Sequence, residues 1–323
     1  MHMIKRCEMM RTMIPILETP HGALYEADCL DFLRAQEDEC ADLVFADPPF
    51  NLGKDYPSGI DDLQASSDYI AWSELWLAQM VRVLKPGGSL FLWNLPKWNL
   101  PLGAFLGQHL TFRNWIAVEI KYSLPISGRL YPSHYSLLYF VKGDRAAIFH
   151  PDRLPVACCR HCGGEIPDYG GYKDKMNPKG VNLSDVWTDI PPVRHKKYKR
   201  RGANELSLRL MDRIVSMASD PGSLVLDPFG GAGTTFVAAE LTERRWLGCE
   251  LDCEDILRRF DALDADLENL ERIHANKNTL FTDADIRRRA AQGRPLSRQY
   301  RVVEPDGVCV CGAGPSDETS ASA

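Results

Sequence analysis

Short, wholly apolar runs alternate along this chain with longer stretches in which apolar residues recur at helical spacing. The first strand-like run is Ala23 to Asp28, and Leu30, Phe32 and Leu33 then suit a brief helix. Asp42-Leu43-Val44-Phe45-Ala46 reads as a buried strand, and Asn51 to Ser67 is polar and punctuated by Gly and Pro, as a loop is. Asp68 can cap a helix carrying Tyr69, Trp72, Leu75, Trp76, Met80, Val81 and Leu84, which Pro86-Gly87-Gly88 should stop. Ser89 to Trp93, Trp115 to Tyr122 and His134 to Val141 are further strands. This alternation predicts an α/β fold, a parallel sheet with helices on both faces.

The pattern dissolves between about Lys142 and Gly202 into Cys, His, Gly, Pro, Tyr and bases, which marks an insert. It resumes with an amphipathic helix at Glu205 to Ala218, where Leu206, Leu210, Ile214 and Met217 share a face. Leu224-Val225-Leu226 is a strand, a Gly-rich turn opens a helix at Thr234 to Leu241, and Trp246 to Glu250 is the last strand. Asp255 to Gln292 reads as charged helix, and Pro305 to Ala323 as a disordered tail. No internal repeat is evident.

Two strand ends carry candidate chemistry. The run Asp47-Pro48-Pro49-Phe50 sets a carboxylate, two rigid residues and an aromatic ring where ligands sit in open parallel sheets. By itself it also reads as a Pro-Pro turn with Phe50 in the core. The second end is Asp227-Pro228-Phe229-Gly230-Gly231-Ala232-Gly233-Thr234-Thr235, whose glycines allow close backbone approach to a ligand before a helix opens. It lacks the Gly-Lys-Ser/Thr of a nucleoside triphosphate loop. The next strand ends in Glu250, an acid placed to suit the hydroxyls of a ribose.

Together the two motifs resemble the DNA methyltransferases that modify exocyclic amino groups, in the class whose catalytic motif precedes the cofactor motif. Glu26-Ala27-Asp28-Cys29-Leu30, Asn51 to Tyr56, Val83 to Gly88, Asp185-Val186-Trp187 and Asn204-Glu205-Leu206 extend the resemblance across Ala23 to Asp252. Ala27 stands where that family usually has Gly. The resemblance implies a Rossmann-like, seven-stranded S-adenosylmethionine-dependent methyltransferase sheet with circularly permuted motif order and an inserted target-recognition region. The cofactor set that it implies is Asp227, Phe229, Gly230, Gly231, Gly233 and Thr234, with Phe229 and the glycines around the methionine part, Glu250 on the ribose and Asp28 facing the adenine. Asp28 and Glu250 also read as a helix cap and an exposed strand end.

An exocyclic amino group is a poor nucleophile because its lone pair is delocalised into the ring. The Asp47 carboxylate and the Pro48 carbonyl, within the catalytic set Asp47, Pro48, Pro49 and Phe50, are expected to accept its two hydrogens, and Phe50 to stack on the flipped base. Asp at the head of this loop goes more often with adenine N6 in the family, and Ser with cytosine N4, so adenine is the expected target and cytosine the alternative. A catalytically inactive DNA-binding protein on the same fold is a further alternative, as is methylation of protein or RNA.

Composition adds little to the class and more to the partners. The 323 residues, 45% hydrophobic and 25% charged, are those of an ordinary globular chain, and the net charge of −6 does not by itself suggest nucleic acid. Its distribution does: Arg194, Lys196, Lys197, Lys199, Arg200 and Arg201 cluster around Tyr198 and are expected to meet the phosphates of double-stranded DNA. A solvated basic loop is the alternative. Cys159-Arg160-His161-Cys162 resembles half a zinc knuckle without an evident second pair, so zinc is possible and not assigned. The ten cysteines otherwise read as reduced thiols, which with no export signal points to the cytoplasm. The methionines at 3, 9, 10 and 13 leave the start codon open, and a cognate restriction endonuclease is a possible partner. The expected organisation is a catalytic half over 20–141, the insert over 142–203, a cofactor half over 204–260, a helical extension over 261–304 and a tail over 305–323.

Overall fold

The structure, a computed structural model, describes residues 13–53, 63–120, 127–128, 130–154, 181–190, 205–275, 287–288 and 290–293. The chain forms two compact units, residues 1–150 with 185–270, and residues 151–184 with 271–323. In the first, β1 (Leu17–Glu18) turns back into β2 (Gly22–Glu26), followed by α1 (Cys29–Ala35) and β3 (Ala41–Ala46). Next come α2 (Ser66–Val83), β4 (Leu84–Asn94), α3 (Pro96–Leu106), β5 (Thr111–Glu119) and β6 (His134–Val141). The short pair β7 (Arg153–Leu154) and β8 (Val181–Asn182) belongs to the second unit. The first unit resumes with β9 (Val186–Trp187), α4 (Leu208–Ala218), β10 (Leu224–Asp227), α5 (Thr234–Leu241), β11 (Arg245–Glu250) and α6 (Glu254–Phe260), and α7 (Leu263–Ala275) closes the series.

The sheet runs β1-β2-β11-β10-β3-β4-β6-β5-β9. Setting aside the two-residue edge strands β1 and β9 leaves the seven strands expected of this architecture. It is mixed where the sequence suggested parallel: β6 runs antiparallel between β4 and β5. A buried apolar run looks the same in either direction, so strand sense was not readable.

Helices cover both faces, and the pleat decides which strand residues each face receives. Val44, Ala46, Leu90, Leu92, Leu138, Phe140 and Cys249 pack with Phe32 of α1, Trp76 and Leu77 of α2 and Trp98 and Leu102 of α3. The alternate positions Trp246 and Gly248 meet Phe236 of α5, whose ring stacks on Trp246 at 4.9 Å.

Several boundaries differ from expectation. Pro86-Gly87-Gly88 does not stop α2, which ends at Val83; these residues lie inside β4, where its register against β3 jumps from Ala41↔Leu84 to Leu43↔Ser89. The irregularity relieves Pro86 of a ladder hydrogen bond. Asp42 spans the gap, accepting from Lys85 Nζ at 2.7 Å and from the Leu224 amide of β10 at 2.8 Å. Asp68 lies in the first turn of α2, and the N-cap is Ala65 without a side-chain bond. Helix α3, which carries Pro101 and Gly103, had no sequence expectation, and β5 begins at Thr111 rather than Trp115. The charged helix expected from Asp255 breaks between α6 and α7.

Among the described residues no helix is long and apolar enough to cross a membrane. No group of three or more His, Cys, Asp or Glu side chains there could hold a metal.

Candidate active site

The two motifs, 180 positions apart, are brought side by side because β3 and β10 are central, parallel neighbours, with Val225 beside Leu43 and Leu226 beside Val44. From β3 the chain crosses to β4 on one side, and from β10 to β11 on the other, so the cleft between them is the point where strand order reverses. Four acids stand at the ends of consecutive parallel strands: Asp28 after β2, Glu250 on β11, Asp227 on β10 and Asp47 after β3.

In the catalytic-motif loop, Pro48 and Phe50 are buried while Asp47 and Pro49 are half-buried. Two prolines in a row present carbonyl acceptors without amide donors, so the loop cannot tie itself down by backbone pairing. Outside side chains do it. Tyr69 of α2 donates its hydroxyl to the Pro49 carbonyl at 2.7 Å, and Trp98 of α3 donates Nε1–H to the Phe50 carbonyl at 2.7 Å. No described residue donates to the Pro48 carbonyl.

Phe50 lies 6.1 Å from Tyr135, which is 5.0 Å from Trp93. Asn51, at φ 53, closes the loop by a paired bond: its Nδ2 donates to the Gln64 carbonyl at 3.0 Å and its Oδ1 accepts from the Gln64 amide at 2.7 Å. Tyr69 and Trp76 are core, as their spacing suggested, yet they also support this loop and the next one. The sequence carries no sign of the role of Trp98.

The glycine turn holds its shape by Gly230 N–H to the Cys249 carbonyl at 2.9 Å and Gly233 N–H to the Gly230 carbonyl at 2.7 Å. Gly231 and Gly233 have φ of 56 and 73, the left-handed region that glycine tolerates. Gly230 is there for another reason: a Cβ would come within 2.6 Å of the Phe236 ring. Phe229 packs edge-on at 5.0 Å against Trp76.

Glu250 accepts from the Gly231 amide at 2.6 Å and from the Leu251 amide at 3.0 Å, so the acid of one strand end braces the turn of the other. Asp28 is exposed and caps α1, its Oδ1 accepting from the Leu30 amide at 2.8 Å. The Thr234 hydroxyl is engaged with the Leu206 carbonyl and with the buried guanidinium of Arg259. Arg259 also donates to the Ala232 carbonyl and pairs with Asp266 through two bonds at 2.9 and 3.1 Å, tying α6 and α7 to the turn.

Asp227 is the electrostatic singularity of the site. It is 1% exposed, and burial pushes its carboxyl up to about 8 although the Thr235 hydroxyl and the Phe229 amide work the other way. Oδ1 accepts from the Phe229 amide at 2.9 Å, while Oδ2 makes no hydrogen bond. Nearby Cys29 and Cys249 have thiols pushed up by burial, and Cys253 is pushed up to about 12, so all are protonated at neutral pH. The four described cysteines, these and Cys40, are free.

Arg194, Lys196, Lys197, Lys199, Arg200 and Arg201, the pair Cys159 and Cys162, Lys54 to Tyr56, Asn204 and the tail from Pro305 lie outside the described residues. What flanks the basic run is described. Before it, Asp189 pairs with Arg213 at 2.6 and 2.9 Å and with Arg209 at 2.9 Å. Burial opposes the Asp189 charge, but the Arg213 hydrogen bonds, with the charges of Arg213 and Arg209, hold its carboxyl down to about 2. After it, the Leu206 carbonyl is held by Thr234 in the glycine-turn helix.

The fold and the paired strand ends define a Rossmann-like methyltransferase. The N6_N4_Mtase family, DNA methylase, matches residues 41–257, and this chain belongs to it. The type II methyltransferase M.BamHI of Bacillus amyloliquefaciens is 50% identical over 288 residues, 89% of this chain and 68% of that protein. Among solved structures, PvuII DNA methyltransferase (cytosine-N4-specific) is similar with a TM-score of 0.56 at 18% identity, over 83% of this chain and 96% of that one. The M1.HpyAVI–SAM complex gives a TM-score of 0.51 at 19% identity, over 74% of this chain and 99% of that one. These two likenesses are of fold.

Proposed function

We propose that this DNA methyltransferase transfers a methyl group from S-adenosylmethionine to an exocyclic amino nitrogen of a base flipped out of duplex DNA. The observation that carries the reading is the arrangement of acceptors in the Asp47–Phe50 loop: a half-buried carboxylate followed by one carbonyl, that of Pro48, on which no described donor acts. An amino group has two hydrogens to give. Accepting both draws the lone pair out of the ring and stabilises the positive charge that develops on nitrogen.

The residues present fit the cofactor. A buried carboxylate oxygen without a partner, on Asp227, lies beside a turn whose glycines have left-handed φ, which suits an ammonium-bearing amino acid chain. Phe229, Gly230, Gly231 and Gly233 would line the methionine part, Glu250 would meet the ribose and Asp28 the adenine. Thr234 would complete the set at the start of the helix, its hydroxyl meeting the Leu206 carbonyl and the Arg259 guanidinium. When bound, S-adenosylmethionine supplies the electrophilic methyl. The basic run would reach the DNA backbone from a segment tethered at Asp189 and Leu206, and a cognate endonuclease is a partner consistent with type II relatives.

Two bases carry the group that this loop serves. Asp47 favours adenine N6, by the family preference for Asp at the head of the loop. A second reading, cytosine N4, is favoured by packing: Phe50 is 6% exposed, with Tyr135 and Trp93 gathered beside it, a setting that suits the smaller ring. DNA methylated by the protein, digested to deoxynucleosides and resolved by chromatography against standards with mass detection, decides between them. N6-methyldeoxyadenosine as the main product supports the Asp47 argument, N4-methyldeoxycytidine supports the packing argument, and C5-methyldeoxycytidine would overturn the mechanism itself.

A further inference from the structure

We propose that Tyr69 and Trp98 are positioning residues for methyl transfer: by occupying the Pro49 and Phe50 carbonyls they aim the loop so that the Pro48 carbonyl is the acceptor presented to the target amino group. The inference rests on the reading of the loop given above. Its basis is a chain of hydrogen bonds whose direction is set at every link. The Leu95 amide can only donate, and it donates to Asn94 Oδ1 at 2.7 Å, which leaves the Asn94 amide nitrogen as the donor to Tyr69 Oη at 3.0 Å. The Pro49 carbonyl can only accept, so the Tyr69 hydroxyl donates to it at 2.7 Å while the phenolic oxygen accepts from Asn94. An indole N–H can only donate, so Trp98 to Phe50 is equally unambiguous.

The two donors come from different helices but act as a unit. Their rings lie 4.6 Å apart, and Tyr69, Trp98 and Asn94 are 2%, 5% and 0% exposed. Buried acceptors without partners are costly, so loss of either donor would let the loop turn its carbonyls to find others. Rotation of a carbonyl in a Pro-Pro segment moves its neighbours, because the φ angles are locked. The acceptor on Pro48 and the carboxylate on Asp47 would then no longer converge.

The test uses the full chain and four variants: Tyr69→Phe, Trp98→Phe, Asn94→Asp and, as a control on the reading of the loop, Asp47→Ala. Asn94→Asp keeps shape but presents acceptors on both sides, which draws the Tyr69 hydrogen away from Pro49 while leaving the phenol ring in place. Single-turnover methylation, KM for DNA and S-adenosylmethionine affinity are measured, with thermal unfolding as the check on folding. The three positioning variants should each lose up to about 100-fold in single-turnover rate, as ångström-scale misplacement does, with KM and cofactor affinity within about twofold of wild type. Full rates in folded Asn94→Asp and Trp98→Phe overturn the inference, even if Tyr69→Phe fails to fold. A folded Asp47→Ala that retains its rate would instead overturn the reading of the loop. A rise in KM with unchanged rate would assign Tyr69 and Trp98 to DNA binding and likewise end the proposal.

Discussion

Asp227 shows how much a single side chain depends on its surroundings. Its carboxyl, pushed up to about 8 by burial, holds a proton in the folded protein at pH values where the unfolded chain has lost it. Asp227 therefore costs no stability below about pH 4, where folded and unfolded chains both hold the proton, and the cofactor-free protein loses stability as the pH rises from there to about 8. Relative to Asp227→Asn, wild-type unfolding free energy should fall by up to about 1.4 kcal/mol per pH unit across that window. Chemical denaturation at a series of pH values checks it; parallel curves for the two proteins would mean that Asp227 is ionised throughout. The sequence marks Asp227 as an acid at a strand end. Its protonation follows from residues distant in sequence that seal Oδ2 from water, and no motif records that.

Helices α2, α6 and α7 do more than their sequences suggest. The aromatic stripe of α2 reads as core, and it is core, yet one helix supports both motifs: Tyr69 under Pro49, and Trp76 against Phe229. Helix α6 looked like plain charged surface, but Arg259 is buried and joined to Asp266 by two bonds while it holds the glycine turn through Ala232 and Thr234. Arg259→Met strands a buried carboxylate and should cost about 3–5 kcal/mol of unfolding free energy. The double variant Arg259→Met with Asp266→Leu should recover most of that. If denaturant titration finds the single change neutral, the pair does not brace the turn. Periodicity could not expose it, since an arginine on a charged helix carries no label of burial.

At the scale of the molecule, the order of elements in the sheet unites chemistry that the chain separates. β3 and β10 lie together at the strand-order reversal, and the described residues that flank the basic run, Asp189 and Leu206, are tied to α4 and α5. If that run meets phosphates, replacing Lys196, Lys197, Lys199 and Arg200 with Ala should weaken binding to all DNA sequences alike. Each phosphate left without its cation should lower the slope of log affinity against log salt by roughly 0.9. Fluorescence anisotropy at several salt concentrations measures it, and an unchanged slope would make the run a solvated surface.

The sequence by itself determined the class of fold, the permuted order of the motifs and which strand ends carry acids, because buried runs, Pro-Pro and Gly-Gly turns are local and leave local text. His134 to Val141 and Thr234 to Leu241 have the bounds that their patterns predict. Only the tertiary structure decided the antiparallel sense of β6, the passage of β4 through Pro86 to Gly88, the engagement of Glu250 and Thr234 with the turn itself, and the pinning of the Pro49 and Phe50 carbonyls by Tyr69 and Trp98. The physical reason is common to all four. Strand sense, hydrogen-bond direction and burial are properties of pairs of residues far apart along the chain, and they come into being when those residues meet.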